Sequence, residues 1–524
     1  MPGAVIAIDA GTTGVRAFAV DEDGAPLDYA YREFRQYFPQ PGWVEHDADE
    51  IWGAVQTTLA ELRAKLDRPL AAIGITDQRE TTVVWDRRTG RPRHKAIVWQ
   101  DRRTADRCRD LENTGHLPLV REQTGLVLDP YFSATKLEWL LTHGGVSADA
   151  DLAFGTVDAW VLWNLTGGAV HATDPSNASR TMLYDIRRRE WSDELCALFG
   201  IPRSCLPEVR PSSGRFGLTP DGVPVSGVAG DQQAALFGQG CFLAGDAKNT
   251  YGTGSFVLLN VGPDCPRPVE GLLTTVGWEL ADGTVAYALE GAIFVTGAAV
   301  QWLRDGLDII DDASEVEALA RSVVDTEGVY VVPAFTGLGS PYWDPYARGT
   351  IVGLTRGVGR AHLSRAVLES MAYQTRDVVD AMREAWRALA PPPSELSAAE
   401  GGSSTGRRPM KKVAGRDVSR LRADGGASAN DLLLQLQADQ LQVPVVRSAV
   451  QETTALGAAY LAGLAEGVWS STDEVSGQWR AAAEFTPAVP PSVADTRYAG
   501  WRRAVERSRG WAQPDPTGSA AGTD

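Results

Sequence analysis

The sequence predicts an α/β protein of two domains flanking a ligand cleft, and three observations carry that expectation. At 524 residues the chain is too long for one hydrophobic core. A Thr/Gly turn beside an apolar strand occurs once in each half, at Asp9-Ala10-Gly11-Thr12-Thr13-Gly14 and at Lys248-Asn249-Thr250-Tyr251-Gly252-Thr253-Gly254-Ser255, which suggests internal duplication with a ligand held between the halves. The small-residue strand Val225-Ser226-Gly227-Val228-Ala229-Gly230 runs into Asp231-Gln232-Gln233. In α/β sheets ligands bind beyond the carboxyl ends of strands, so Asp231 is offered to a crevice, with Gly227 and Gly230 expected to admit a substrate close to the backbone. Asp231 before Ala234-Ala235-Leu236-Phe237 equally suits a helix cap, and one residue can do both.

The first strand, Val5-Ile6-Ala7-Ile8, leads through the Asp9–Gly14 turn to Val15-Arg16-Ala17-Phe18-Ala19-Val20. Backbone N–H groups and hydroxyls of such a turn can hold phosphate oxygens, and Arg16 adds a charge for the same anion. Asp9, ending the strand, is placed to hold a hydrated Mg²⁺. A plain β-hairpin is the other reading. Asp77-Gln78-Arg79-Glu80-Thr81-Thr82 follows a strand and precedes Val83-Val84-Trp85. Adjacent Arg79 and Glu80 supply donors and acceptors suited to vicinal hydroxyls, or else a surface ion pair. Trp99 closes Ala96-Ile97-Val98 as core or as a wall for a C–H face, and Tyr131 stands at the entrance of an amphipathic helix over 131–140.

In the second half, Leu289–Leu303 reads as a small-residue helix start. Ala423-Asp424-Gly425-Gly426-Ala427-Ser428-Ala429-Asn430 is a glycine turn entering the helix Asp431–Leu441, able to take a base against backbone with Asn430 as side-chain partner. Residues 390–417, with Pro391-Pro392-Pro393 and Arg407-Arg408-Pro409-Met410-Lys411-Lys412, read as a disordered surface insertion. The resulting division is 1–245, 246–485 and a C-terminal helix with a loose tail over 486–524.

Composition narrows the function classes. Hydrophobic content of 44% with 22% charged residues is ordinary for a globular protein, and the net charge of −17 argues against a nucleic-acid surface. Five cysteines without a C-x-x-C pair favour reduced thiols. The start lacks a basic n-region and no apolar run approaches membrane length, so a cytoplasmic protein without membrane insertion is expected.

With these stretches in view, the chain resembles the FGGY carbohydrate kinases and, within them, the glycerol kinase group, from Asp9 to about Trp469. The group-level likeness rests on Gln78-Arg79-Glu80-Thr81-Thr82, Ile97-Val98-Trp99-Gln100 and Asn177-Ala178-Ser179-Arg180-Thr181-Met182-Leu183. The resemblance implies two actin-like, ribonuclease-H-like domains closing on a deep cleft, and ATP-dependent phosphorylation of glycerol. It assigns the general base to Asp231 and the glycerol contacts to Arg79, Glu80, Trp99, Tyr131 and Gln232. It assigns the nucleotide to Thr12, Thr13, Gly14, Arg16, Thr253, Gly297, Gln301, Gly426 and Asn430, with magnesium at Asp9 and Asp231. A homodimer or homotetramer is the family expectation. Two departures stand out: Gly14 replaces a serine common in relatives, and residues 212–224 lack the glycine-rich basic loop that binds a sugar bisphosphate in some of them.

Overall fold

The computed structural model describes residues 3–388 and 416–513. Two mixed sheets form the centres of the two halves. The first has six strands in the order Ser213–Leu218, Pro224–Gly230, Leu70–Asp77, Ala4–Ala10, Gly14–Val20, Pro26–Glu33. The second has seven, in the order Leu273–Glu279, Val285–Ile293, Ser255–Gly262, Asp246–Tyr251, Arg420–Asp424, Val445–Ser448, Ala481–Phe485. Each contains the same run: three antiparallel strands, the first of which pairs in parallel with a later strand that in turn pairs in parallel with a further one. The duplication hinted at by two Thr/Gly turns is thus a duplication of topology. In both sheets the turn after the first strand lies at the carboxyl end of the parallel strands, where ligands collect.

Strands Ala4–Ala10 and Pro224–Gly230 are buried almost throughout, as central strands covered on both faces must be. The covering helix over part of this sheet comes from the other half. Thr453–Ala465, built mostly from alanine, leucine and glycine, packs on the helix Asp231–Gly238 and on strands Leu70–Asp77, Pro224–Gly230 and Ala4–Ala10. Glycines make the approach possible: a Cβ at Gly457 would lie 1.8 Å from the Ala234 carbonyl oxygen, and one at Gly74 would lie 2.1 Å from that of Ala458. Gln239 Nε2 donates to Asp424 Oδ2 at 3.0 Å, and Thr453 Oγ1 bonds the same carboxylate oxygen, which ties the seam at its upper end.

Several expectations change here. Gly227 faces the helix Thr453–Ala465, where a Cβ would meet Ala462 N at 2.5 Å, and Gly230 faces the Arg79 side chain at 2.6 Å. Both glycines therefore serve packing and not substrate access. Leu289–Leu303 is not one helical start: Val285–Ile293 is a strand, and the helix begins only at Gly297. Residues 285–293 pair on both edges, so sheet burial overrides the small-residue pattern. The helix after Tyr131 runs Ser133–Thr142. The insertion at 390–417 lies outside the described residues except for Arg416 and Asp417, as does the tail from 514. All five cysteines are unpaired, and no described helix is long and apolar enough to cross a membrane.

Replacing Gly457 by valine is expected to cost about 3 kcal/mol by forcing two backbones apart, measured by denaturant unfolding. A loss below about 1 kcal/mol would show that the seam yields freely.

Candidate active site

Asp231 is the first residue of the helix Asp231–Gly238, and Gly230 holds the cap position without a side-chain cap. The capping role is therefore set aside; Asp231 Oδ1 accepts the adjacent Gln232 N–H, at 2.8 Å. Its side chain keeps 32% exposure and pairs with Arg79 Nε at 3.1 Å, whereas Arg79 is 1% exposed. A carboxylate that meets solvent on one side and a buried guanidinium on the other is held in place yet reachable from the cleft, which is what a base needs.

Arg79 belongs to a buried cluster that crosses the two halves. Its guanidinium donates to Glu290 at 2.5 and 3.1 Å, to Tyr131 Oη at 3.2 Å and to Gln233 Oε1 at 3.3 Å. Arg180 donates to Glu80 Oε1 at 2.7 Å and to Glu290 Oε1 at 3.0 Å. Burial works against ionisation of Glu290, yet Arg180 and Arg79 together hold its carboxyl at about 2. Burial pushes Glu80 up, against the pull of the same two guanidiniums. Glu80 sits at a φ of 62°, a left-handed conformation costly for a side chain with Cβ and characteristic of functional positions.

Tyr131 and Trp99 form an edge-to-face pair with centroids 5.6 Å apart, both half-buried. Lys136 Nζ donates to the carbonyls of Pro130, Tyr131 and Phe132 at 2.9, 2.6 and 2.9 Å, which pins the loop carrying Tyr131. Trp99 Nε1 donates to Thr12 Oγ1 at 3.0 Å, joining the aromatic wall to the first Thr/Gly turn. The carbonyls of that turn are engaged from behind: Gln78 Nε2 donates to Gly11 O at 3.0 Å and Gln36 Nε2 to Thr12 O at 2.9 Å. His46 bridges the two glutamines, taking Gln78 Nε2 on Nδ1 at 3.3 Å and donating from Nε2 to Gln36 Oε1 at 2.5 Å. Burial drives its pKa down to about 4, so it keeps this one neutral tautomer. With its carbonyls tied back, the turn is free to aim N–H groups at an anion.

At Gly14 an added Cβ would lie 2.6 Å from the Tyr31 hydroxyl, which occupies the space a serine would need. Arg16 pairs with Glu452 of the other half. Asp9, at the strand end, accepts no hydrogen bond among the described residues; burial raises its carboxyl to about 7, with Arg16 opposing and Asp231 and Glu452 adding.

Across the cleft, the helix Gly297–Asp305 docks on the second Thr/Gly turn: Gly297 N donates to Gly252 O and Ala298 N to Thr253 O, both at 3.1 Å. Gln301 is one turn further on and exposed. Gly426 is exposed, with nothing within 4 Å of an added Cβ. Asn430 Oδ1 caps the helix Asp431–Leu441 by accepting Leu433 N–H at 2.9 Å, and its amide N–H groups make no hydrogen bond among the described residues. Sequence reasoning missed Glu290, Arg180 and Lys248 as site residues. A lone acid inside the apolar run 285–293 was the available signal for Glu290.

Glu290→Gln is expected to cost about 3 kcal/mol near pH 7, because it leaves two buried guanidiniums with one buried carboxylate, Glu80, and the part-exposed Asp231. The ionised Glu290 contributes fully above its ordinary value of 4.5 and loses that contribution as pH falls toward about 2. The stability gap between wild type and variant should therefore narrow as unfolding is followed from pH 6 down to pH 3. A gap that does not change over this range would contradict the assignment.

Comparison with known proteins agrees with this architecture. The model of the FGGY family of carbohydrate kinases, N-terminal domain, matches residues 4–238, and that of the C-terminal domain matches residues 247–466. A glycerol kinase of Symbiobacterium thermophilum is 55% identical over 523 residues, spanning 97% of this chain and 99% of its own. One from Bordetella parapertussis is 52% identical over 528 residues, spanning 97% and 98%. Among solved structures, Plasmodium falciparum glycerol kinase with ADP aligns at a TM-score of 0.87 and 33% identity over 97% of this chain and 98% of that one. A gluconate kinase from Lactobacillus acidophilus, at 21% identity and a TM-score of 0.82 over 97% and 99%, shares the fold. Duplicated topology, the cleft at the strand ends and these matches place the two halves as actin-like domains, and the chain belongs to the FGGY family of carbohydrate kinases.

Proposed function

We propose that the protein transfers the γ-phosphoryl group of ATP to a terminal hydroxyl of glycerol, forming sn-glycerol 3-phosphate and ADP. The observation that carries this is the placement of Asp231: partly exposed to the cleft, braced by the buried Arg79, and flanked by the polar and aromatic groups of Tyr131 and Trp99. Asp231 accepts the hydroxyl proton as that oxygen forms its bond to phosphorus, and the bond from phosphorus to the bridging oxygen breaks to release ADP. Arg79 and Glu80 bind the remaining hydroxyls, and Trp99 and Tyr131 cover the carbon face. Such a site rejects analogues lacking a hydroxyl, because the buried groups would be left unpaired.

The two Thr/Gly turns hold the phosphates from either side, with Thr12, Thr13, Gly14 and Arg16 on one domain and Thr253 on the other. Gly297, Gln301, Gly426 and Asn430 line the nucleoside end. The unpartnered, desolvated carboxylate of Asp9, with Asp231 close enough to raise it further, is an all-oxygen donor set that fits magnesium. Magnesium bound there would offset charge on the phosphates. The domains meet through the glycine-packed seam, and closure about it would exclude water from the transfer.

A coupled ADP-release assay with MgATP and glycerol, xylulose, ribulose or no acceptor tests this directly. Fast turnover with glycerol alone is expected; preference for a pentulose, or acceptor-independent hydrolysis, would overturn it. Asp231→Asn is expected to lower kcat by about 10²- to 10⁴-fold. Its thermal stability should stay near wild type, since Asp231 caps no helix.

A further inference from the structure

Lys248 lies on the first strand of the second sheet, Asp246–Tyr251, and is wholly buried. Its Nζ donates to Gln232 Oε1 at 2.5 Å and to Thr250 Oγ1 at 2.9 Å. Gln232 is the neighbour of Asp231 on the other half's helix and is 8% exposed. A glutamine amide has an oxygen that accepts and a nitrogen that donates, and by shape alone either can face a ligand. An ammonium only donates. Reversing the amide would set its NH₂ against the Lys248 NH₃⁺, so one orientation survives. The Gln232 Nε2 makes no hydrogen bond among the described residues, and it adjoins the one-third-exposed Asp231.

We propose that Lys248 is a positioning residue that locks Gln232 with its N–H toward the cleft, making it an obligatory donor to the acceptor hydroxyl. This rests on the reading of the cleft as the glycerol site. The hydroxyl that reacts would receive a hydrogen bond from Gln232 on its oxygen while giving its proton to Asp231. Only a group that both accepts and donates satisfies the pair. Because Lys248 and Gln232 belong to different halves, the lock forms only when the two sheets are brought together.

The test is a double-mutant cycle on the full-length enzyme with Lys248→Met, Gln232→Ala and the double variant, reading glycerol kcat/KM and ATP KM separately. Methionine matches the lysine stem, and folding is checked by thermal melting and by ATP binding. Each single variant is expected to lose about 10- to 100-fold in kcat/KM for glycerol, the scale of one charge-assisted hydrogen bond, with ATP KM within about twofold. The double variant should lose no more than Gln232→Ala alone. Additive losses, or an equal loss in ATP KM, would overturn the lock. Gln232→Glu is the second, independent probe: it keeps the partner for Lys248 but removes the N–H, so glycerol kcat/KM should fall as for Gln232→Ala. Wild-type kcat/KM in that variant would overturn the donor role. A wild-type enzyme inactive on glycerol would instead refute the function proposed above, and this inference with it.

Discussion

The site depends on a buried electrostatic cluster that neither half could hold by itself. Arg79, Arg180 and Glu80 come from the first half and Glu290 from the second, and their side chains are at most 2% exposed. Removing such charges from water is costly, and what offsets the cost is the density of matched donors and acceptors among them. Glu290 is the centre of this exchange, because it takes hydrogen bonds from both guanidiniums. The cluster in turn fixes what faces the cleft. Arg79 sets Asp231 and Tyr131, and Arg180 sets Glu80 on its left-handed backbone.

Bringing Glu290 to the arginines requires the two sheets to approach closely, and the glycine-packed seam allows that. The helix Thr453–Ala465 lies on a sheet of the opposite half because glycines at 74, 227, 238 and 457 leave no side chain in the way. A larger residue at the contact would widen the gap between halves and pull apart the pairs that span it. Arg16 with Glu452 and Gln232 with Lys248 are two more of these cross-half pairs, both beside the reacting region. The chemistry and the domain arrangement are therefore one packing problem.

The phosphate turn illustrates the same economy on a smaller scale. Gln36, His46 and Gln78 form a continuous chain of hydrogen bonds, and its two ends take the carbonyls of Thr12 and Gly11. Neutral His46 permits only one pattern of donors along the chain, so the turn is held in one orientation before any ligand arrives.

By itself the sequence determined the local pieces. The Asp9–Gly14 and Tyr251–Ser255 turns, the strand into Asp231 and the helix Asp431–Leu441 could be read from residue type, because turn geometry and strand and helix composition are decided by neighbours along the chain. The two-domain α/β class followed from length and from the repeated turn. Only the tertiary structure decided which charged residues meet. Arg79 and Glu290 are 211 positions apart, and Glu290 lies in a run whose small residues read as helix until strands on both sides claimed it. Gly227 and Gly230 looked like openings for a ligand and proved to be openings for a helix and an arginine, because the face a strand residue occupies has no meaning until something packs on it. Local conformation is set by short-range sterics and hydrogen bonding, whereas the partner of a buried charge is chosen by the fold that removes it from water.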